Sequence, residues 1–144
     1  MTAVDTNVLI RLLTGDDVPQ QAMARALFDS GPIWISKTVL LETAWVLESL
    51  YGFEESMIRD ALTRLLGLRN VSVEDASSVA TALALAAENI EFADALHLAS
   101  RPDGTVFVSL DKAFVKRANR AGVSGVRGVT PPNLRPPTGT RRPS

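Results

Sequence analysis

The sequence contains no cysteine and only one histidine, His97. The absence of cysteine excludes disulfide bonds, thiolate zinc or iron–sulfur sites, and cysteine nucleophiles. A single histidine excludes a histidine-rich metal cage and leaves a serine–histidine–aspartate triad with only one possible base.

Long hydrophobic runs are also absent. The most apolar stretches, Val39–Leu47 and Val79–Ala87, are about nine residues long, whereas a bilayer needs about 20. The chain begins Met1-Thr2-Ala3-Val4-Asp5, without the basic start and apolar block of a signal peptide. We therefore expect a soluble, cytoplasmic protein that does not use a membrane as a partner.

The chain also lacks an excess of positive charge. Its 144 residues carry a net charge of −1, and residues 1–130 carry −4 because the three arginines of residues 131–144 have no acidic counterpart there. A protein that binds nucleic acid through bulk charge would be basic. Contact with nucleic acid would therefore require a local patch or a bound cation.

Proline is concentrated at one end of the chain. Residues 131–144 hold five of the eight prolines, and such a segment lacks backbone donors and apolar side chains. We predict one domain over residues 1–130, which is ordinary in size and composition, followed by a flexible tail rich in proline and arginine over residues 131–144.

Short β-rich runs alternate with helical patterns in the predicted domain. We predict strands at 2–4, 33–35, 71–73, 105–110 and 126–129, and helices at 7–13, 19–28, 37–51, 55–68, 74–88, 92–101 and 112–120. This alternation is typical of an α/β fold with a parallel sheet covered by helices on both faces. Ligands bind such sheets at the carboxyl ends of the strands.

Two aspartates lie at those ends. Asp5 and Asp111 each follow a predicted strand and immediately precede a predicted helix. An aspartate in that position can simply cap the helix, by accepting hydrogen bonds from its free N–H groups. Two of them at the same edge of one sheet favour a functional pocket.

Two further carboxylates lie within helices. Most helical neighbours of Glu42 are apolar, so we expect its carboxylate to face a partly buried surface; alternatively it extends to water at the edge of the core. Glu48 has similar neighbours on the same helix. Asp94 lies in the first turn of its helix, where the macrodipole alone favours a carboxylate, and we interpret His97, three residues on, as a supporting residue. Carboxylates gathered together favour Mg²⁺ or Mn²⁺, which can activate water for phosphodiester hydrolysis.

The motifs around these acids carry a family resemblance. They are Val4–Ile10, Leu41–Thr43, Phe92–Ala99 and Ser109–Phe114. In this order and context they resemble the PIN-domain nucleases, and within them the VapC-type toxins of toxin–antitoxin pairs. The resemblance implies a PIN-like three-layer α/β/α sandwich, with a short parallel β-sheet flanked by helices, that uses Mg²⁺ or Mn²⁺ to cleave RNA.

The resemblance also implies roles for individual residues. The catalytic acids are Asp5, Glu42, Asp94 and Asp111, of which Asp5 and Asp94 are the principal metal ligands. Thr6 and Ser109 resemble hydroxyl residues placed near the metal or phosphate, although the family commonly has threonine where Ser109 stands.

Beyond Asp111, a basic stripe of Lys112, Lys116 and Arg120 is spaced to contact phosphates on one helix face, or alternatively is an ordinary solvated face.

These features together predict a metal-dependent endoribonuclease toxin that is held inactive by a cognate antitoxin. The apolar residues of Leu40–Leu68 suggest a homodimer interface or an antitoxin groove. One alternative is a PIN nuclease of RNA maturation or of DNA flaps, and another is a catalytically silent PIN scaffold that binds RNA or protein. A receiver-type phosphoacceptor domain matches poorly at Val71–Asp75 and Ser109–Lys112.

Overall fold

The computed structural model describes residues 1–132, which divide into two compact units, one of residues Met1–Asp103 and one that begins at Gly104. Residues 133–144, and with them most of the predicted tail, lie outside the described residues. The two units are taken in turn.

The first unit alternates strands and helices. In chain order these are β1 (Thr2–Ala3), α1 (Thr6–Thr14), α2 (Val18–Asp29), β2 (Ile33–Ile35), α3 (Lys37–Ser49), α4 (Glu55–Leu66), β3 (Val71–Val73), α5 (Ala76–Ala86) and α6 (Phe92–Ala99). The strands form a parallel sheet in the order β1-β2-β3. Its register pairs Thr2 with Ile33, and Ile33 with Val71.

Side-chain caps begin four helices of this unit. Asp5, Asp17, Ser36 and Asp75 each accept a hydrogen bond from the backbone N–H three residues further on. These bonds satisfy N–H groups that have no partner inside the helix, and for that reason short polar residues favour helix starts. Gly15 ends α1 with φ at 67°, a left-handed conformation that glycine adopts without steric cost.

The core of the first unit lies between the sheet and its helices. Fully buried side chains come from α1, β2, α3, α4, α5 and α6, among them Leu9, Ile33, Ile35, Leu40, Leu47, Ile58, Leu62, Val79, Phe92 and Leu98. Helix α3 packs against α1, α4 and α6, and α6 packs extensively against α5. The helix that carries Glu42 is therefore positioned by contacts with three other helices.

The second unit contains β4 (Phe107–Ser109), α7 (Lys112–Arg120) and β5 (Val126–Gly128), with β4 and β5 paired in parallel. Phe114 and Ala118, one turn apart on α7, are buried. The ring of Phe114 meets that of Phe107 edge to face, with 5.7 Å between centroids. This contact holds α7 against β4.

The α/β class and the order of the elements are confirmed, but the single sheet assumed from the sequence is not observed. The described strands form a three-stranded and a two-stranded parallel sheet. Each strand has only two or three residues, and the backbone N–H groups of Thr2 and Val4 are used in bonds to Pro32 and Trp34. Strands of this length form only a few backbone hydrogen bonds with their neighbours. Among the described residues, no helix is long and apolar enough to cross a membrane.

Candidate functional site

Asp5 lies at the junction of β1 and α1, as predicted, and it caps the helix. Its Oδ1 accepts a hydrogen bond from the backbone N–H of Val8 at 3.2 Å, and the side chain is solvent-exposed. Within residues 1–132 the second oxygen, Oδ2, accepts no hydrogen bond. The capping interpretation is therefore confirmed, and it leaves one carboxylate oxygen available to another ligand.

Thr6 and Glu42 are brought together across the chain. The hydroxyl of Thr6, a residue only 8% exposed, donates a hydrogen bond to Oε1 of Glu42 on α3. This bond links the start of α1 to the middle of α3, two helices that pack against each other. The resemblance places this hydroxyl near the metal or phosphate, and in the structure its hydrogen is donated to Glu42.

Glu42 combines the two expectations for it: the residue is exposed, as in the alternative in which it extends to water, but its Oε1 accepts a partly buried hydrogen bond from Thr6. Its neighbour Trp45, one helical turn further on, is itself 58% exposed. Apolar neighbours on a helix indicate a face, but they do not show whether another element covers it. This part of α3 is open to solvent.

Glu42 borders a cavity of about 520 Å³ between α3 and α6. Its lining residues are Thr38, Leu41, Glu42, Trp45, Ala93 and His97. Sequence reasoning missed Trp45, although its position three residues after Glu42 was a usable signal. The cavity therefore joins one of the predicted acids to an exposed aromatic ring and to the only histidine.

Asp94 is the third residue of α6 and is half-buried. It does not line the cavity, and within the described residues its carboxylate takes part in no hydrogen bond or ion pair. Its first-turn position agrees with favourable helix-dipole electrostatics. Its predicted role as a metal ligand stays a prediction.

The carboxylates of the first unit have the right chemistry for a hard cation but form no ready-made cage. Among the described residues, no three histidine or acidic side chains form a group that could hold a metal ion. The ion pairs Arg11–Asp16 at 3.1 Å and Lys37–Asp75 at 3.0 Å, both within the described residues, involve none of the predicted acids. Because Mg²⁺ is usually held by one or two carboxylates with waters and substrate phosphates, the donor types fit this ion.

A polar cluster that sequence reasoning missed ties together the helices around the site. The ammonium of Lys37 donates to Asp75 at 3.0 Å and to Ser100 at 3.1 Å. Its hydrogen bond is the main cause that lowers the pKa of Asp75 below the ordinary value. The cluster joins the start of α3 to the start of α5 and the end of α6. The signal was that Lys37 and Asp75 each lie two residues beyond a strand.

Asp111 and Ser109 form a local turn in the second unit. Asp111 caps α7 by accepting a hydrogen bond from the backbone N–H of Phe114 at 3.0 Å, and its own N–H donates to Oγ of Ser109 at 3.0 Å. Asp111 is exposed, and Ser109 is half-buried. Both residues thus have a structural role, and their predicted catalytic and substrate-binding roles stay predictions.

The basic stripe of Lys112, Lys116 and Arg120 is fully formed on α7. All three residues are exposed, on the side of the helix away from buried Phe114 and Ala118. The spacing of four residues keeps the cations on one helix face.

Residues 2–119 match a family model described as PIN domain. The matched range contains Asp5, Glu42, Asp94 and Asp111, and it ends before the proline-rich segment. No curated protein matches the chain.

Proposed function

The chain belongs to the PIN-domain family, whose members are generally nucleases, and from this premise we propose that it is a metal-dependent endoribonuclease. We propose further that it acts as the toxin of a VapBC-type toxin–antitoxin pair. Its substrate is RNA, and its reaction is the hydrolysis of a phosphodiester bond.

The observation that carries the proposal is the hydrogen bond from Thr6 to Glu42. It joins the segment after β1, which contains Asp5, to the open face of α3. Asp5 keeps Oδ2 free of hydrogen bonds within residues 1–132, and the bond from Thr6 engages only Oε1 of Glu42. Asp5 and Glu42 thus belong to one connected part of the first unit. Both carboxylates are exposed, and neither forms an ion pair among the described residues.

Asp5 and Asp94 are the residues that would hold Mg²⁺ or Mn²⁺, which PIN domains typically use. When bound, such a cation polarises phosphoryl oxygens and lowers the pKa of a coordinated water. Thr6 fixes Glu42 through Oε1, so that Oε2 can accept a hydrogen bond or a proton from water. The basic stripe attracts RNA phosphates, and Asp111 is the proposed fourth acid.

Exposed apolar side chains support a protein partner, either the antitoxin or a second copy of the chain. Leu50, Met57 and Leu68, at the end of α3 and along and beyond α4, are 70%, 47% and 45% exposed. Large apolar groups that no other element covers are typical of protein-binding surfaces when they are grouped. We propose that they serve antitoxin binding or homodimer formation.

Glu42→Gln and Glu48→Gln form a matched pair that tests the nuclease proposal. Both glutamates are exposed on α3, but only Glu42 accepts the hydrogen bond from Thr6 and borders the cavity. With Mg²⁺ or Mn²⁺ the purified protein should cleave RNA, and EDTA should abolish the activity. Glu42→Gln should lower the cleavage rate by about 100-fold or more, which is the usual size of a proton-transfer contribution.

Glu48→Gln should cleave at the wild-type rate, because within the described residues its side chain makes no hydrogen bond or ion pair and does not border the cavity. Equal rates for the two variants would show that Glu42 has no special part in the reaction. RNA that stays intact with wild-type protein and either metal would refute the endoribonuclease proposal itself.

A further inference from the structure

Trp45 is an exposed aromatic side chain to which the described contacts give no structural role. It lies on α3, three residues after Glu42, and 58% of its surface is open to solvent. Within the described residues its indole takes part in no ring stacking, and its N–H donates no hydrogen bond. Burial of this apolar surface against a ligand would be favourable.

The cavity beside Trp45 combines one flat aromatic wall with polar groups that have spare hydrogen-bonding capacity. Leu41 and Ala93 supply apolar surface. Within the described residues, the exposed imidazole of His97 makes no hydrogen bond, although it carries one donor and one acceptor when neutral. Thr38 shares a single hydrogen bond with Ser36 at 3.0 Å.

The cavity is large enough for a small ligand. Its volume of about 520 Å³ is within the range of roughly 300–1,000 Å³ typical of small-ligand sites. A base of single-stranded RNA presents a flat face for stacking and a polar edge for hydrogen bonds. The cavity offers an exposed indole for the face, and His97 and Thr38 for the edge.

We propose that this cavity is a nucleobase subsite, in which a base of the RNA substrate stacks on Trp45 and His97 hydrogen-bonds to its edge. The proposal rests on the RNA substrate proposed above and extends it to a residue that binds the base rather than the phosphate. The cavity includes Glu42, so the bound base holds the adjoining backbone beside this acid. Trp45 supplies affinity for any base, whereas His97 discriminates between bases.

Fluorescence of a protein with one tryptophan tests the stacking directly. The chain has two tryptophans, and Trp34→Phe leaves Trp45 as the only one. In EDTA, which prevents cleavage, a single-stranded oligoribonucleotide should quench the emission of Trp45. A series of the same oligonucleotide with one abasic position moved along it should include a member that quenches much less, because the sugar and phosphate alone cannot stack.

Binding and kinetics provide the second measurement. Trp45→Ala should weaken RNA binding by about 5- to 150-fold, the range that corresponds to loss of one stacked base. Trp45→Phe should restore most of the affinity, because it keeps an aromatic face. Met23→Ala, which removes a comparably exposed apolar side chain on α2, outside the cavity, should bind RNA like the wild type. His97→Ala should reduce the preference among RNAs that differ at one base.

Three results separate the proposal from its alternatives. The subsite is refuted if the protein binds and cleaves RNA while Trp45 emission and the affinity of Trp45→Ala stay unchanged. It is equally refuted if Trp45→Ala leaves RNA affinity intact but changes the sedimentation mass of the protein, since Trp45 then contacts a protein. Failure of the wild type to bind or cleave RNA refutes the proposed function, and the subsite with it.

Discussion

Asp5 has a structural role that the structure shows and a metal-binding role that we propose, and two substitutions separate them. Asparagine keeps a side-chain oxygen that can accept the hydrogen bond from Val8, but it removes the negative charge. Alanine removes both. We expect Asp5→Asn to fold as stably as the wild type yet to lose metal affinity and RNA cleavage.

The expected magnitudes follow from the geometry of the cap. Loss of a side-chain cap costs about 1 kcal/mol in the free energy of unfolding, within a range of roughly 0.5–2. For a chain of 144 residues this lowers Tm by about 4 °C. Asp5→Ala should show this decrease, whereas Asp5→Asn should stay within a few tenths of a kcal/mol because asparagine caps about as well as aspartate.

Asp17 is the matched control, because it caps α2 in the same way. It accepts a hydrogen bond from the backbone N–H of Gln20 at 3.0 Å and does not border the Glu42 cavity. Asp17→Ala should lose about the same stability as Asp5→Ala, and both Asp17→Ala and Asp17→Asn should keep full activity. The four variants thus compare loss of a cap with loss of a charge at two helix starts.

Two assays decide the outcome, thermal unfolding with and without Mn²⁺ and RNA cleavage. At ten times its dissociation constant the metal should stabilise the wild type by about 1.4 kcal/mol, and Asp17→Asn by the same amount. Asp5→Asn should gain much less. If Asp5→Asn cleaves RNA as fast as Asp17→Asn and shows the same metal-dependent shift, Asp5 is only a helix cap and our reasoning about the site is wrong.

Two further predictions concern the basic stripe on α7 and the hydrogen bond between Tyr51 and Asp16. Replacing the three cations of the stripe by alanine should weaken RNA binding. It should also reduce the slope of log affinity against log salt concentration by about 2, since each phosphate contact to a single strand contributes about 0.7. The control Arg64→Ala should leave this slope unchanged. Tyr51→Phe removes the hydrogen bond of 2.6 Å that is the main cause lowering the pKa of Asp16 below its ordinary value, so it should lower Tm at neutral pH. A lowered carboxyl pKa stabilises the fold at pH values above the unfolded pKa, and this stabilisation is lost as the pH falls. The Tm difference between the variant and the wild type should therefore shrink on acidification, and a constant difference would contradict this cause.

Helix starts were the features most predictable from the sequence. Asp5, Ser36 and Asp111 each stand where a β-rich run meets a helical pattern, and each proves to cap the following helix. Element ends were less predictable. The strand expected over 105–110 is only Phe107–Ser109, because its length is set by pairing with β5 rather than by its own apolar residues.

The candidate site was predictable in composition but not in arrangement. Glu42 was selected from its helical neighbours, and it does accept a hydrogen bond from the segment that follows β1. Its degree of exposure could not be decided from the sequence, because periodicity shows which residues share a helix face and not what packs on that face. The cluster of Lys37, Asp75 and Ser100 was not predicted, since the positions of Lys37 and Asp75, two residues beyond a strand, do not show which side chains meet.

The sequence by itself determined the order of strands and helices, the capping residues Asp5, Ser36 and Asp111, and the spacing of the basic stripe. These depend on interactions over three or four residues, which the covalent chain keeps close in any fold. Only the tertiary structure decided that Thr6 bonds to Glu42, that Trp45 and His97 share a cavity, and that the strands divide into two sheets. Thr6 and Glu42 are 36 positions apart, so their contact depends on how α1 packs against α3 and on strand register, neither of which has a local signal in the sequence.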